Sequence, residues 1–158
     1  MYENIRKATV NDIPLILDFI KKLAEYEKMT DLVVADENLL KEWLFEKNVA
    51  KVIFAMEGEK EVGFALYFHN FSTFLGRAGI YLEDLFVLPE FRGKGYGKLL
   101  LKTLAKTVAE QGLGRLEWCC LDWNKPSIEF YESLGATLLK EWKMFRLTGE
   151  SLIALAKQ

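Results

Sequence analysis

The sequence predicts an α/β sandwich built on a mixed sheet, and three observations carry that expectation. Two helix-period segments lie near the N-terminus, and β-rich runs separated by turn residues occupy the middle. A strand, a glycine-rich loop, a helix and a further strand then follow in that order. The middle suits antiparallel pairing, whereas the last unit is a crossover that sets two strands parallel.

Taken in order, Thr9-Val10-Asn11-Asp12 has the pattern of a capping box, with Pro14 in the first turn that follows. Ile13, Ile16, Leu17, Ile20, Leu23 and Ala24 then fall on one helical face. Asp36 is placed to cap a second helix carrying Leu39, Leu40, Trp43 and Leu44. Residues 52–56 and 62–68 read as a hairpin around Gly58-Glu59-Lys60, and residues 79–87 as a further strand. A helix is expected over 99–108, ending near Gly112, then a strand over 116–121 and a short helix over 126–134 stopped by Gly135. Residues 136–147 read as one or two closing strands. The whole of 1–158 is expected to form a single domain, since ~100–150 residues is the commonest size.

Composition narrows the function. Hydrophobic residues make up 51% and charged residues 28%, enough for a packed core. Lys+Arg (21) nearly balances Asp+Glu (23), so no strong field draws the chain to nucleic acid or an anionic membrane. No apolar run approaches the ~20 residues of a membrane span, and no basic start precedes an apolar stretch as in a secretory signal. Cys119 and Cys120 are adjacent, which suits neither a structural disulfide nor a spaced thiolate metal site. Two reduced, packing cysteines and a cytoplasmic location are the expectation.

The most informative stretch is Glu83-Asp84-Leu85-Phe86-Val87-Leu88-Pro89-Glu90-Phe91-Arg92-Gly93-Lys94-Gly95-Tyr96-Gly97. A strand feeds a glycine-rich turn that opens a helix, whose free N–H groups and dipole favour a phosphate. Arg92, Lys94 and Lys98 add positive charge. A dinucleotide fingerprint needs G-x-G-x-x-G and an acid on the next strand, but the spacing is G-x-G-x-G and that strand carries Cys119 and Cys120. A Walker loop needs Ser or Thr after Gly-Lys, and Leu99 stands there.

The Arg-x-x-Gly-x-Gly of Arg92, Gly95 and Gly97 instead resembles the signature of the Gcn5-related N-acetyltransferases (GNAT). In that family the loop wraps the pyrophosphate of coenzyme A. Asn124-Lys125-Pro126-Ser127, followed by Phe130-Tyr131 and Gly135, is similar to the second conserved segment of the family. Residues 20–27, Val62-Gly63-Phe64-Ala65 and Tyr81-Leu82-Glu83-Asp84 resemble its diamine and polyamine branch, which includes spermidine/spermine and thialysine acetyltransferases. The resemblance implies a mostly antiparallel central sheet with helices on both faces. It also implies acetyl-coenzyme A as co-substrate, a small-molecule amine as partner, and a homodimer. Leu85, Phe86, Val87, Arg92, Gly93, Lys94, Gly95, Tyr96, Gly97 and Lys98 would bind the cofactor, with Asn124, Lys125, Pro126 and Ser127. Tyr26, Glu27 and Glu83 would line the amine pocket, and Tyr131 would be the general acid. In the polyamine enzymes an acid follows the third strand, whereas His69-Asn70-Phe71-Ser72 places Ser72 there. Lys140 stands near another acidic family position.

Acetyl transfer needs a neutral amine, and alkyl amines hold their proton up to a pKa of ~10.4, so a base is required. Strand alternation predicts that Glu83 and Asp84 point to opposite faces. Glu83, by the resemblance, faces a wet cleft, and Asp84 is read as structural. Glu83 in an ion pair or bonded to backbone amides, Asn124 as a plain helix cap and Tyr131 as a core tyrosine are the alternatives. No metal is needed. A protein N-terminal or lysine acetyltransferase, or a non-catalytic acetyl-coenzyme A sensor, would carry the same loop. His69, the only histidine, stands without the partners of a hydrolase triad and reads as a surface or loop residue.

Overall fold

The computed structural model describes residues 2–158. The N-terminus is organised by Asp12, whose carboxylate accepts the Thr9 N–H at 2.7 Å and a bidentate pair from Arg6 at 2.8 and 2.9 Å. A 3-10 turn, Val10–Asp12, leads into α1, Ile13–Tyr26. Ile13, Ile16 and Leu23 are buried as their spacing predicts, and the structure adds Phe19 to that face, whereas Leu17, Ile20 and Ala24 are half-buried. Asp36 caps α2, Glu37–Leu40, by accepting the Leu39 N–H at 2.8 Å. The apolar period does continue through Trp43 and Leu44, but Lys41–Glu46 is a π-helix, with Lys47 N–H bonded to Glu42 O at 2.8 Å.

The sheet runs β1 (Ile5–Lys7), β2 (Lys51–Glu57), β3 (Lys60–Ser72), β4 (Arg77–Val87), β5 (Leu116–Trp118) in that spatial order. The first three pairings are antiparallel, and β4 with β5 is parallel, joined through α3, Tyr96–Glu110. Phe54, Phe64 and Phe86 are cross-strand partners, all buried, and the Phe19 ring of α1 meets them at 6.0, 5.2 and 6.3 Å. Burial of one such side chain is worth roughly 1.5–3 kcal/mol, so this aromatic cluster fixes α1 on that face. Strand alternation turns Ile53 and Ala65 to the other face, where Ile53 and Tyr67 share a lining with Thr103 and Leu104 of α3. Helices therefore cover both faces.

The described residues up to Cys119 form one compact unit and residues 120–158 another. In the second, α4 (Lys125–Ser133) is followed by Gly135 at φ 88°. The closing strands expected over 136–147 do not form. Two irregular arms flank a turn at Lys140-Glu141, and α5, Gly149–Ala156, follows. A β-rich pattern describes a chain able to be extended, but a strand exists only where a neighbour takes its N–H and C=O groups. The same reason shortens the strand expected over 116–121, which stops at Trp118. Among the described residues, no helix is long and apolar enough to cross a membrane.

Candidate active site

The chain leaves β4 through a 3-10 turn, Pro89–Phe91, and reaches Gly93 at φ 77° and Gly95 at φ 90°. Only glycine takes these angles at little cost. A Cβ built on either would meet no atom within 4 Å, so the glycines serve the backbone's shape and open space lies beside the loop. Gly95 is the N-cap of α3, and the first bond there is Leu99 N–H to Gly95 O at 2.9 Å. The N–H groups of Tyr96, Gly97 and Lys98 precede it, which is the donor array an oxyanion requires. This part of the structure fits a pyrophosphate.

The flanking side chains are more constrained than the sequence suggested. Arg92 donates through Nε to Val87 O at 2.9 Å, and its guanidinium lies over the rings of Tyr26 and Phe86 at 4.8 and 5.2 Å. It straps the loop to β4 and to the end of α1. Lys94 Nζ lies 3.2 Å from Glu57, which also accepts from the Tyr96 hydroxyl at 2.9 Å. Both side chains anchor the loop, and Lys98 carries the cation of the first helical turn.

β4 pairs with β5 only from Ile80 to Leu82. Beyond it, Leu85, Phe86 and Val87 have no parallel neighbour, so the β5-side amide groups of this stretch are offered to a ligand. At the boundary β4 changes phase. Leu66 pairs with Asp84 but Tyr67 pairs with Leu82, so Glu83 is the extra residue of a bulge. Leu66 and Phe68 share one face of β3, and their partners Asp84 and Tyr81 therefore share one face of β4. That face is the one covered by α1. The expectation that Glu83 and Asp84 oppose each other fails here, because a bulge breaks the two-residue period on which it rested.

The consequence is a group of three coupled carboxylates. Glu27, at the end of α1, is raised above its ordinary pKa by burial and then by the charge of Glu83. Asp84 is pushed up to about 7, chiefly by burial and then by Glu83 and Glu27. Tyr81, beside them, is raised by burial and by its bond to the Cys119 thiol at 3.1 Å. Among the described residues no Lys or Arg forms an ion pair with Glu27, Glu83 or Asp84. Asp84 is the residue that sequence reasoning passed over. Nothing in Leu82-Glu83-Asp84-Leu85 marks the bulge.

Ser72 is not in a loop. It ends β3, is 5% exposed, and its Oγ accepts from Leu75 N–H at 3.2 Å and from Arg115 at 3.3 Å. It pairs with Arg77, six residues along β4 from Glu83, which is ~20 Å at the rise of a strand. His69 is exposed within β3, with Nδ1 3.1 Å from Gly79 O.

In the second unit, Asn124, Lys125, Pro126, Ser127 and Tyr131 all belong to α4 and its cap. Asn124 is buried, and its Oδ1 accepts the Ser127 N–H at 3.4 Å, so the helix-cap role is met. Tyr131 is half-buried, its ring 5.5 Å from that of Phe130.

Comparison with known proteins agrees with this geometry. The model of the acetyltransferase (GNAT) family matches residues 17–136. The thialysine N-epsilon-acetyltransferase of Bos taurus is 39% identical, over 96% of this chain and 96% of its own length. The L-ornithine N5-acetyltransferase of Arabidopsis thaliana is 34% identical, over 99% of this chain and 89% of its own. Among solved structures, an integron cassette protein from the mobile metagenome of V. cholerae superposes with a TM-score of 0.81 at 33% identity, covering 98% of this chain and 97% of that one. A soil-derived aminoglycoside acetyltransferase superposes at 0.78 with 21% identity, over 92% of this chain and 95% of its own, a likeness of fold alone. The glycine loop at the head of α3, the open end of β4 and these matches together place the chain in the GNAT acetyltransferase family.

Proposed function

We propose that the chain, as one domain over 1–158, moves the acetyl group of acetyl-coenzyme A onto a primary amine of a small diamine, polyamine or lysine-like amino acid. The observation that carries this reading is the group Glu27, Glu83 and Asp84, three carboxylates beside the open end of β4 with no Lys or Arg ion-paired to them among the described residues. Such a group is costly unless a cation comes to it. The relatives named for ornithine and thialysine point to short amino acids with a distal amine.

Acetyl-coenzyme A, when bound, supplies a thioester carbonyl open to attack. The N–H groups at the head of α3 would hold its phosphates, with Asn124, Lys125, Pro126 and Ser127 completing the site as in the family. Backbone N–H groups of Leu85, Phe86 and Val87 would polarise the carbonyl. The amine arrives as a cation, held by Glu83 and Glu27 against the ring of Tyr26. Its proton passes to a carboxylate oxygen, directly or through water. Asp84, at about 7, is a better-matched base at neutral pH than an ordinary aspartate. Tyr131 Oη returns a proton to the departing sulfur. Adjacent Cys119 and Cys120 suit two reduced thiols better than a disulfide, which supports a cytoplasmic setting. Exposed Leu138, Trp142 and Phe145 support a homodimer.

The test is thiol release from acetyl-coenzyme A across ornithine, thialysine, putrescine, spermine and a lysine peptide. Lysine-like acceptors are expected to exceed spermine in kcat/KM. Arg77 pairs with Ser72 and Arg115 donates to it, so the Ser72 position is set among cations that would repel a long polycation. Preference for the peptide would overturn the small-molecule reading, and preference for spermine the acceptor class.

A further inference from the structure

The sheet face turned away from Glu27, Glu83 and Asp84 carries its own cavity, of about 400 Å³. Its floor follows from register. Lys7 pairs with Ile53 and Lys51 with Tyr67, so these residues of β1, β2 and β3 share the face under α3. Ile53 and Tyr67 are buried, as are Thr103 and Leu104 of α3, which line the same space. The size lies within the range of small-molecule sites, and an apolar floor of Ile53, Tyr67 and Leu104 is rimmed by polar and charged side chains.

Two features set this cavity apart from a packing gap. The first is charge. Lys106 at the rim lies 3.6 Å from Glu110, but Lys7 and Lys51 form no ion pair among the described residues, which leaves two ammonium groups at one mouth without a counter-charge. The second is backbone. The wall formed by Leu44, Phe45 and Asn48 belongs to the π-helix and to the second residue after it, where Asn48 sits at φ 53°. A π-turn is rare and is found frequently at functional sites, and Asn is among the non-glycine residues that take a positive φ most readily. An ordinary α-helical end would have turned these side chains elsewhere.

We infer that this cavity is a second ligand site, separate from acetyl transfer, for a small organic anion: a carboxylate or phosphate monoester carried on an apolar or aromatic body. Lys7 and Lys51 hold the anionic head, and Tyr67 with Phe45 receives the body. Tyr67 pairs with Leu82, the residue directly before the bulged Glu83, so an occupant rests behind the strand position that sets the carboxylates.

Benzoate and phenyl phosphate are the probes, titrated by calorimetry into protein saturated with acetyl-coenzyme A so that the glycine loop is blocked. One saturable site is expected, with the preferred probe telling carboxylate from phosphate. The double variant K7A/K51A should weaken it about tenfold or more, as loss of two ion pairs implies, and K157A in the tail should leave it unchanged. Thr107→Phe, filling the cavity beside α3, should remove binding while thermal unfolding shows a folded protein. No saturation by either probe, equal affinity in K7A/K51A, or competition between probe and acetyl-coenzyme A would each overturn the assignment.

Discussion

Replacing Asp84 by asparagine separates stability from catalysis in a way that follows from its position. The bulge at Glu83 turns Asp84 onto the α1 face, where burial, Glu83 and Glu27 raise its pKa from 3.8 to about 7. The folded protein therefore holds this proton more tightly than the unfolded chain does. Stability contributed at low pH is lost as pH climbs from about 4 to about 7, because the folded state must ionise Asp84 at a cost. A displacement of that size corresponds to at most ~4 kcal/mol, and screening by solvent at a partly open carboxyl reduces it to ~2 kcal/mol. Asp84→Asn has the same shape and never ionises. It should unfold in urea at higher concentration than wild type at about pH 8, by ~2 kcal/mol, and show little difference near pH 4. Activity should move the other way, with kcat/KM down by ~10²–10³-fold and the acidic limb near pH 7 gone from its pH profile. Thiol release measured between about pH 6 and 9 reads both. Wild-type kcat/KM with an unchanged acidic limb would remove Asp84 from proton transfer, and no stability gain at pH 8 would refute the strain argued from its burial.

Acetyl-coenzyme A should raise the melting temperature, and Gly95→Glu or Gly97→Glu should abolish that rise, the first because φ 90° disfavours a side chain and both because a carboxylate repels the phosphates; an undiminished rise in both would move the cofactor elsewhere. Tyr131→Phe should lower kcat by ~10²-fold or more with KM for acetyl-coenzyme A nearly unchanged and stability altered by less than ~1.5 kcal/mol, and a wild-type single-turnover rate would end its role as acid. Arg6 holds Asp12 down at about pKa 2, so the stability from that pair is present above pH ~4 and lost as pH falls toward 2. Asp12→Asn should then cost ~1–2 kcal/mol at pH 7, less than half of that at about pH 2 and almost nothing at about pH 1, and a pH-independent cost would assign the effect to packing alone.

Local patterns were legible without coordinates. The period of Ile13, Ile16 and Leu23, the Asp36 cap, the Gly58 turn and the Gly93-to-Gly97 loop all depend on neighbours within a few residues, and each is found where the sequence placed it. The phosphate site belongs to this class, because a helix N-terminus and its glycines are built from one contiguous segment. Three things needed the tertiary structure. The bulge that puts Asp84 beside Glu83 is a relation between β3 and β4, and no residue type announces which strand gains the extra position. The π-helix at Lys41–Glu46 keeps the apolar spacing of an α-helix closely enough to be invisible in it. Residues 136–147 have the composition of strands but no ladder, because pairing is a property of two segments and composition belongs to one. Chemistry carried by a single segment was determined by the sequence, whereas the charge environment around Glu27, Glu83 and Asp84 was decided only when distant segments met, since burial and mutual repulsion exist only between groups brought together in space.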